Sequence, residues 1–440
     1  MTENQQLDLA VSRLLDEYIE QIRAIMQLAK FTSEQASQLD NTIERLKSQL
    51  LIDYPWLDES TAQALSELSI EIEKLSTSRD ISEEQSAESK NSIFAKLDTL
   101  HKNATENSML GESLPELLHI SLHSMASKIF PSTDLLFPSL LVSLVSTFET
   151  FISELFLELY SRFPLAMSEK AQFSWKGVAS AQSLEELRSK IIERTVTTQL
   201  FDDFDAWIQH FESKFGIGVP KNFLSDGLKE IFLRRNLAVH SGLRVNPIYL
   251  DKVRLAGEHP EVGEKLIVDY SYIEFAYQHL SVLGFVLSWQ IAHKILEQPS
   301  LGFFEDQAAN TTYKYLLEGK YDSVHQMTSV LSKAIPVISE DVKLIMQING
   351  WLSLKRLGRF DECRNDVSTW QTSTLAARFQ LAQLALLDEL DKGLALAQQI
   401  RGTKELSIVH WLSWPLLEEI RNHEDSKTST TDIAILEPMS

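Results

Sequence analysis

Residues 233–242 read LRRNLAVHSG and set Arg235, Asn236 and His240 into a stretch otherwise fit for a helix core. Arginine offers a planar fork of donors to an anion, and histidine is the side chain that exchanges a proton nearest neutral pH. On a helical wheel over 221–241, Leu224, Leu228, Ile231 and Ala238 form an apolar stripe, and Arg235 falls on the same line, seven after Leu228 and four after Ile231. A guanidinium there is costly unless it is paired or lies in a polar cleft between subunits. Asn236 and His240 are four apart and share a neighbouring face. Arg235 and His240 are about 140° apart round the helix. They converge only if His240 sits at a frayed end and the long arginine leans toward it. Gly242 fits the position that ends a helix, and Pro247 reinforces the stop.

The charge around this stretch is unlike that of the rest. The 440-residue chain carries a net −21, which argues against broad, non-specific nucleic-acid binding. Residues 1–100 hold 19 acidic and nine basic side chains. Residues 221–254 hold seven basic ones (Lys221, Lys229, Arg234, Arg235, Arg244, Lys252, Arg254) against Asp226, Glu230 and Asp251. A small positive island in an acidic chain suits a local anion site, although chance clustering on a solvated helix gives the same count.

Other chemistry-bearing signals are weaker. His119 and His123 have metal-ligand spacing but no carboxylate or cysteine beside them. Asp202, Asp203 and Asp205 in FDDFDAW are more simply helix-start carboxylates than a cation site. FGIGVP lacks the lysine of a phosphate loop. The single cysteine, Cys363, excludes a disulfide framework within the chain and a cysteine-rich zinc site.

The elements that position these residues read as helices. Only 15 glycines and 12 prolines punctuate the chain, and 44% of it is hydrophobic. An all-α fold follows, with long helices and short loops. In 1–105, Leu7, Val11, Leu14, Leu15, Tyr18, Ile22, Ile25, Met26 and Ala29 make one apolar stripe of an acidic helical N-terminal module. The most apolar helix, 139–160, repeats Leu141, Val145, Phe148, Ile152, Leu155 and Leu159 at threes and fours, with Glu149 and Glu154 set into it. Helices follow at about 183–198, 201–214, 221–241 and 271–296, the first with Ser183 and Glu186 as a capping box. Beyond 303, GKYD at 319–322 is echoed by GRFD at 358–361, an offset of 39, and Leu357 by Leu387, an offset of 30. Residues 303–423 resemble a degenerate tetratricopeptide-like array, for which an ordinary α-hairpin bundle is the simpler alternative. Residues 424–440 read as a flexible tail. No signal-peptide layout opens the sequence, and the longest uninterrupted apolar runs fall short of a bilayer span. A cytoplasmic protein with no membrane partner is expected.

RNLAVH resembles the R-x4–6-H motif of the HEPN superfamily, in which a polar residue is favoured directly after the arginine. The resemblance covers roughly 110–298. It implies a HEPN-like helical bundle whose activity is metal-independent endoribonuclease cleavage, with no cofactor. Two domains pair so that their motifs form one composite cleft, and RNA is the substrate of a homodimer or higher oligomer. His240 is then general base or acid, Arg235 binds the scissile phosphate, and Asn236 orients one of them. Arg234 and Arg244 add contacts to the RNA backbone, and Glu149 partners one arginine. Arg234 also satisfies the spacing. Arg235 is favoured because Asn236 follows it and because of its place on the stripe. A prokaryotic defence or toxin role is implied, with a protein partner on the C-terminal repeats. The alternative is a non-catalytic adaptor that dimerises and binds a protein.

Overall fold

The computed structural model describes residues 2–39, 42–77, 92–98, 100–102, 113, 115–118, 132–167, 178, 181–253, 260–295, 302–332 and 339–435. Every regular element among them is helical, and β pairing is confined to two isolated bridges. His119, His123 and Arg254 lie outside the described residues.

The helices run α1 (Glu3–Leu39), α2 (Thr42–Asp53), α3 (Glu59–Thr77), α4 (Ser132–Arg162), α5 (Leu184–Leu200), α6 (Phe204–Phe215), α7 (Asp226–His240), α8 (Pro247–Lys252) and α9 (Tyr270–Ile295). They continue with α10 (Gly302–Leu317), α11 (Tyr321–Thr328), α12 (Glu340–Arg356), α13 (Arg364–Thr369), α14 (Ala377–Leu386), α15 (Leu390–Ile400), α16 (Ile408–Ser413) and α17 (Glu418–Ile435).

The contacts divide the chain differently from the three parts expected. One compact unit is Met1–Ala24, Val142–Leu266 and Glu274–Ser440; the other is Ile25–Leu141 and Ile267–Ile273. In the second unit α2 packs on α3, and Leu50, Leu57, Ala62, Leu65, Leu68, Leu100 and Leu117 form its core.

Polar bonds explain why the first 24 residues join the larger unit. Asp8 is buried and accepts the backbone N–H groups of Phe303 and Phe304, at 3.2 and 2.9 Å, so it caps the start of α10 from a distant helix. Arg23 pairs with Glu318 at 2.5 Å, and Lys314 reaches Glu20 at 2.6 Å and Asp16 at 3.2 Å. Desolvation raises the Asp8 carboxyl above its usual pKa, and the two backbone donors oppose that.

The core of the larger unit is built on α4 and α9. Leu144, Val145, Phe148, Ile152, Leu155, Phe156 and Leu159 are buried on α4, as the threes-and-fours spacing requires. The helix starts earlier than the apolar run, at Ser132, with Pro138 in its second turn. Leu135–Arg162 is therefore long and apolar enough to cross a bilayer, with mean hydropathy 1.7, which the count of uninterrupted apolar runs did not register. A mostly buried core helix passes the same test, and α4 carries Glu149 in an ion pair.

Tyr18 of α1 joins the two helices. Its ring stacks on Phe151 at 4.4 Å and its hydroxyl donates to the Leu280 carbonyl at 2.8 Å. Gly284 lets the ring in: a Cβ there would stand 2.3 Å from Tyr18 Cε1. Gly284→Ala is expected to cost about 1–3 kcal/mol by overpacking, read as a lowered thermal midpoint, and Gly284→Ala with Tyr18→Leu is expected to recover part of it.

The C-terminal half repeats one turn three times. After α10, α12 and α14 the chain passes through a left-handed residue, Gly319 (φ 70°), Gly358 (φ 71°) and Asp388 (φ 60°). The next residue's N–H returns to a carbonyl five back each time: Lys320 to Tyr315, Arg359 to Leu354 and Glu389 to Leu384. The offsets are again 39 and 30. The three turns thus share one backbone device, a left-handed residue followed by a return hydrogen bond.

The tail reading is corrected in part. Residues 424–435 continue α17, held by Arg401–Glu424 at 2.9 Å and by Asp391, which His423 reaches at 3.0 Å and Lys427 also contacts. These cations hold the Asp391 carboxyl down to about 2.

Candidate functional site on the Arg235–His240 helix

Local sequence sets the ends of α7. Ser225 is its N-cap, accepting the N–H of Leu228 at 3.1 Å. His240 is its last helical residue. Gly242 (φ 55°) and Leu243 (φ 64°) then take left-handed conformations, and the N–H groups of Ser241 and Leu243 both return to the Leu237 carbonyl. Leu243 adopts this disfavoured backbone because its side chain is buried and its carbonyl pairs with Leu266.

Phe232 fixes the rotation of α7. Its ring stacks on Phe204 at 4.7 Å and meets Trp207 and Phe148 edge-on at 6.0 and 5.8 Å. The Phe148–Phe232 contact registers α4 against α7. One position on from Phe148 and three on from Phe232, Glu149 and Arg235 meet as an ion pair. Leu228, Ile231, Phe232 and Leu237 are the buried apolar residues of the helix; Leu228 and Ile231 belong to the stripe expected, whereas Leu224 and Ala238 are only partly buried.

The two arginines have different fates. Arg234 pairs with buried Glu230 at 2.6 Å, and Glu230 also accepts the Tyr249 hydroxyl at 2.7 Å. This network sits beside the Leu237, Val245, Tyr249 and Val253 cluster, and desolvation with the Glu230 charge pushes the Tyr249 pKa well up. Arg235 instead lines an open cleft of about 710 Å³, together with Asn236 and His240. Burial lowers the Arg235 pKa from the ordinary arginine value. Its Nε is buried and has no hydrogen-bond partner among the described residues, so the donors it can offer the cleft are those of its terminal amines. Asn236 and His240 are exposed. Arg244 lies outside the lining; it donates to the Gly263 carbonyl at 3.1 Å and bridges Lys265.

The cleft is more acidic than the basic island promised. Glu149, Asp202, Asp203, Asp205, Asp226 and Asp251 line it against Lys229, Arg235 and Lys252. Each cation is engaged: Lys229 with Asp205 at 2.8 Å, Lys252 with Asp203 at 3.3 Å, and Arg235 with Glu149. Asp203 is also the N-cap of α6, accepting the Ala206 N–H at 3.2 Å, so the helix-start reading holds for it. Counting charge along the sequence missed this because Glu149 of α4, Asp202 and Asp203 between α5 and α6, and Asp205 of α6 come in from outside the island. The buried Glu230–Tyr249 partnership was also missed, although Glu230 and Arg234 stand at the i, i+4 spacing of a helical ion pair.

The geometry gathers a guanidinium with free donors, an amide and an imidazole on one solvent-open wall. That set can hold one anionic group and move a proton beside it. A scan against protein-family models matches none, and comparisons with curated proteins and with solved structures find no match either.

Proposed function

We propose that this chain is a metal-independent endoribonuclease of the HEPN type. The observation that carries the reading is that Arg235, Asn236 and His240, adjacent in the motif, line one open cleft while Arg234 is held in a buried network. In this reading His240 takes the proton of a ribose 2′-OH and O2′ attacks the adjacent phosphorus. The P–O2′ bond forms as the P–O5′ bond breaks. Arg235 stabilises the charge gathering on the non-bridging oxygens, and Asn236 orients the phosphate or the imidazole. The leaving O5′ needs a proton, which the His240 of a second copy supplies in a composite dimeric site. The products are a 2′,3′-cyclic phosphate and a 5′-hydroxyl.

The test is incubation of the purified full chain with mixed RNA in EDTA. Cleavage supports the nuclease. A second reading, a non-catalytic adaptor that dimerises and holds a protein partner on its C-terminal hairpins, is favoured by the engagement of every cleft cation with a carboxylate. RNA left intact under all conditions supports that one. A defence or toxin role belongs to the first reading and a partner on the hairpins to either.

The acidic lining sets a quantitative expectation. A nucleic-acid site built on many lysines and arginines loses affinity steeply with salt. Here Arg235, with at most Lys229 and Lys252, meets phosphate, so a slope of about −1 to −2 in log affinity against log salt is expected. RNA affinity, followed by fluorescence anisotropy, then falls only about 4- to 16-fold between 50 and 200 mM salt. A slope beyond about −4 means that RNA is held by a different, basic surface.

A further inference from the structure

We propose that the cleft takes unpaired RNA by stacking one base on Phe201, with the neighbouring carboxylates favouring a base that presents an amino group. The inference rests on the nuclease reading of the same cleft. Phe201 is 86% exposed, yet it lines the cleft that holds Arg235, Asn236 and His240. It makes no ring contact with another aromatic side chain among the described residues, whereas Phe204 and Phe232, in the same lining, are stacked on each other. Its backbone is fixed: it caps the C-terminus of α5, and its N–H returns to the Gln199 and Thr198 carbonyls. An exposed aromatic face lining a cleft is the arrangement on which an unstacked base settles, and a base held in a duplex cannot reach it.

The carboxylates decide which part of the RNA lies there. Asp203 and Asp205 are occupied by Lys252 and Lys229. Asp202, Asp226 and Asp251 line the cleft with no hydrogen bond or ion pair of their side chains to other described residues. An ionised carboxylate only accepts hydrogen bonds. It repels phosphate and rewards a donor, so the groups facing these three are base amines or ribose hydroxyls. The phosphate is left to the Arg235 side. Cytosine presents an amine where uracil presents a carbonyl, so the pair of pyrimidines isolates the effect.

The experiment measures binding apart from cleavage. Labelled 12-mers of cytidine, of uridine and of mixed sequence, single-stranded or in a duplex, are titrated by anisotropy against the full-length His240→Ala protein with and without Phe201→Ala, Phe201→Leu or Phe201→Trp. Single strands are expected to bind and the duplex not. Phe201→Ala and Phe201→Leu weaken binding about 5- to 150-fold, and Phe201→Trp retains it. Oligocytidine binds tighter than oligouridine.

Leucine as good as phenylalanine, or duplex binding equal to single-strand binding, overturns the stacking. Equal affinity for cytidine and uridine tracts overturns the part assigned to the carboxylates. Loss of a dimer in sedimentation of the Phe201 variants, with RNA affinity unchanged, assigns the ring to a second copy of the chain and overturns it too. RNA cleavage by the unmutated chain that is indifferent to Phe201 sinks this inference and leaves the nuclease standing. Phe201-dependent binding without cleavage sinks the nuclease and leaves this inference.

Discussion

Under the proposed nuclease reading, His240→Ala is expected to lower RNA cleavage by about 10²–10⁴-fold, the range for removal of a positioned general acid or base. The loss is expected without loss of fold. His240 is exposed and is the final helical residue of α7, while the contacts that anchor this end belong to Leu237, Leu243 and the Val245–Tyr249 cluster. Removing a side chain at a helix C-terminus costs at most about 0.3–1 kcal/mol of dipole interaction. Single-turnover cleavage and a thermal melt, run on the same preparation, separate the two. A variant that melts normally and cleaves at the unmutated rate removes His240 from the chemistry.

Arg235→Ala is expected to cost about 10²–10³-fold in cleavage, the scale of losing one preorganised donor to a developing oxyanion. It also destabilises the fold, because Glu149 is left without its cation in a partly buried position. The cost of such a stranded group is about 1–3 kcal/mol, more if it stays charged. A double variant, Glu149→Met with Arg235→Met, removes both charges and is expected to recover the melting temperature but not the activity. Arg235→Lys keeps a charge beside Glu149 but loses the planar fork, and an intermediate rate is expected. Arg234→Ala is expected to behave in the opposite way. It removes the cation of Glu230, whose side chain is only 3% exposed, leaving it the Tyr249 hydroxyl, and is expected to cost about 3–5 kcal/mol of stability. Melting curves and rates measured for all four variants decide between the two arginines. Cleavage that tracks stability across the series contradicts the assignment.

Much of this site was legible because it is carried by one helix. Gly242 is a local feature and the backbone reproduces it: α7 ends after His240, and Gly242 is left-handed. Glu149 was legible as a carboxylate in an apolar helix and as a candidate partner of one of the two arginines, without a choice between them. What made it the partner of Arg235 is the Phe148–Phe232 contact between α4 and α7, a pairing that no local pattern encodes. The acidic lining was illegible for the same reason. Asp202 and Asp251 stand 49 residues apart in sequence and meet in the cleft through the packing of α5, α6 and α8. Phe201 carried one faint sign, an aromatic set between the end of one helix and the acidic start of the next in LFDDFDAW.

The hairpins show the complementary case. Gly319 and Gly358 announce their turns, since glycine tolerates positive φ, and Asp388 occupies the same conformation at the third. The long-range bonds of Asp8, Asp16, Glu20 and Arg23 leave no local trace in the sequence, where these residues fit the polar face of an amphipathic helix. Their partners, Phe303, Phe304, Lys314 and Glu318, lie almost 300 residues away.

The termini left on the RNA test the proposed chemistry most directly. A defined single-stranded oligonucleotide is incubated in EDTA with the full chain, and the fragments are weighed by mass spectrometry. Attack by the 2′-OH yields a 2′,3′-cyclic phosphate on one fragment and a 5′-hydroxyl on the other, and a single 2′-deoxy substitution blocks cleavage at that position. Fragments ending in a 3′-hydroxyl and a 5′-phosphate, cleavage through a 2′-deoxy position, or an intact strand contradict it.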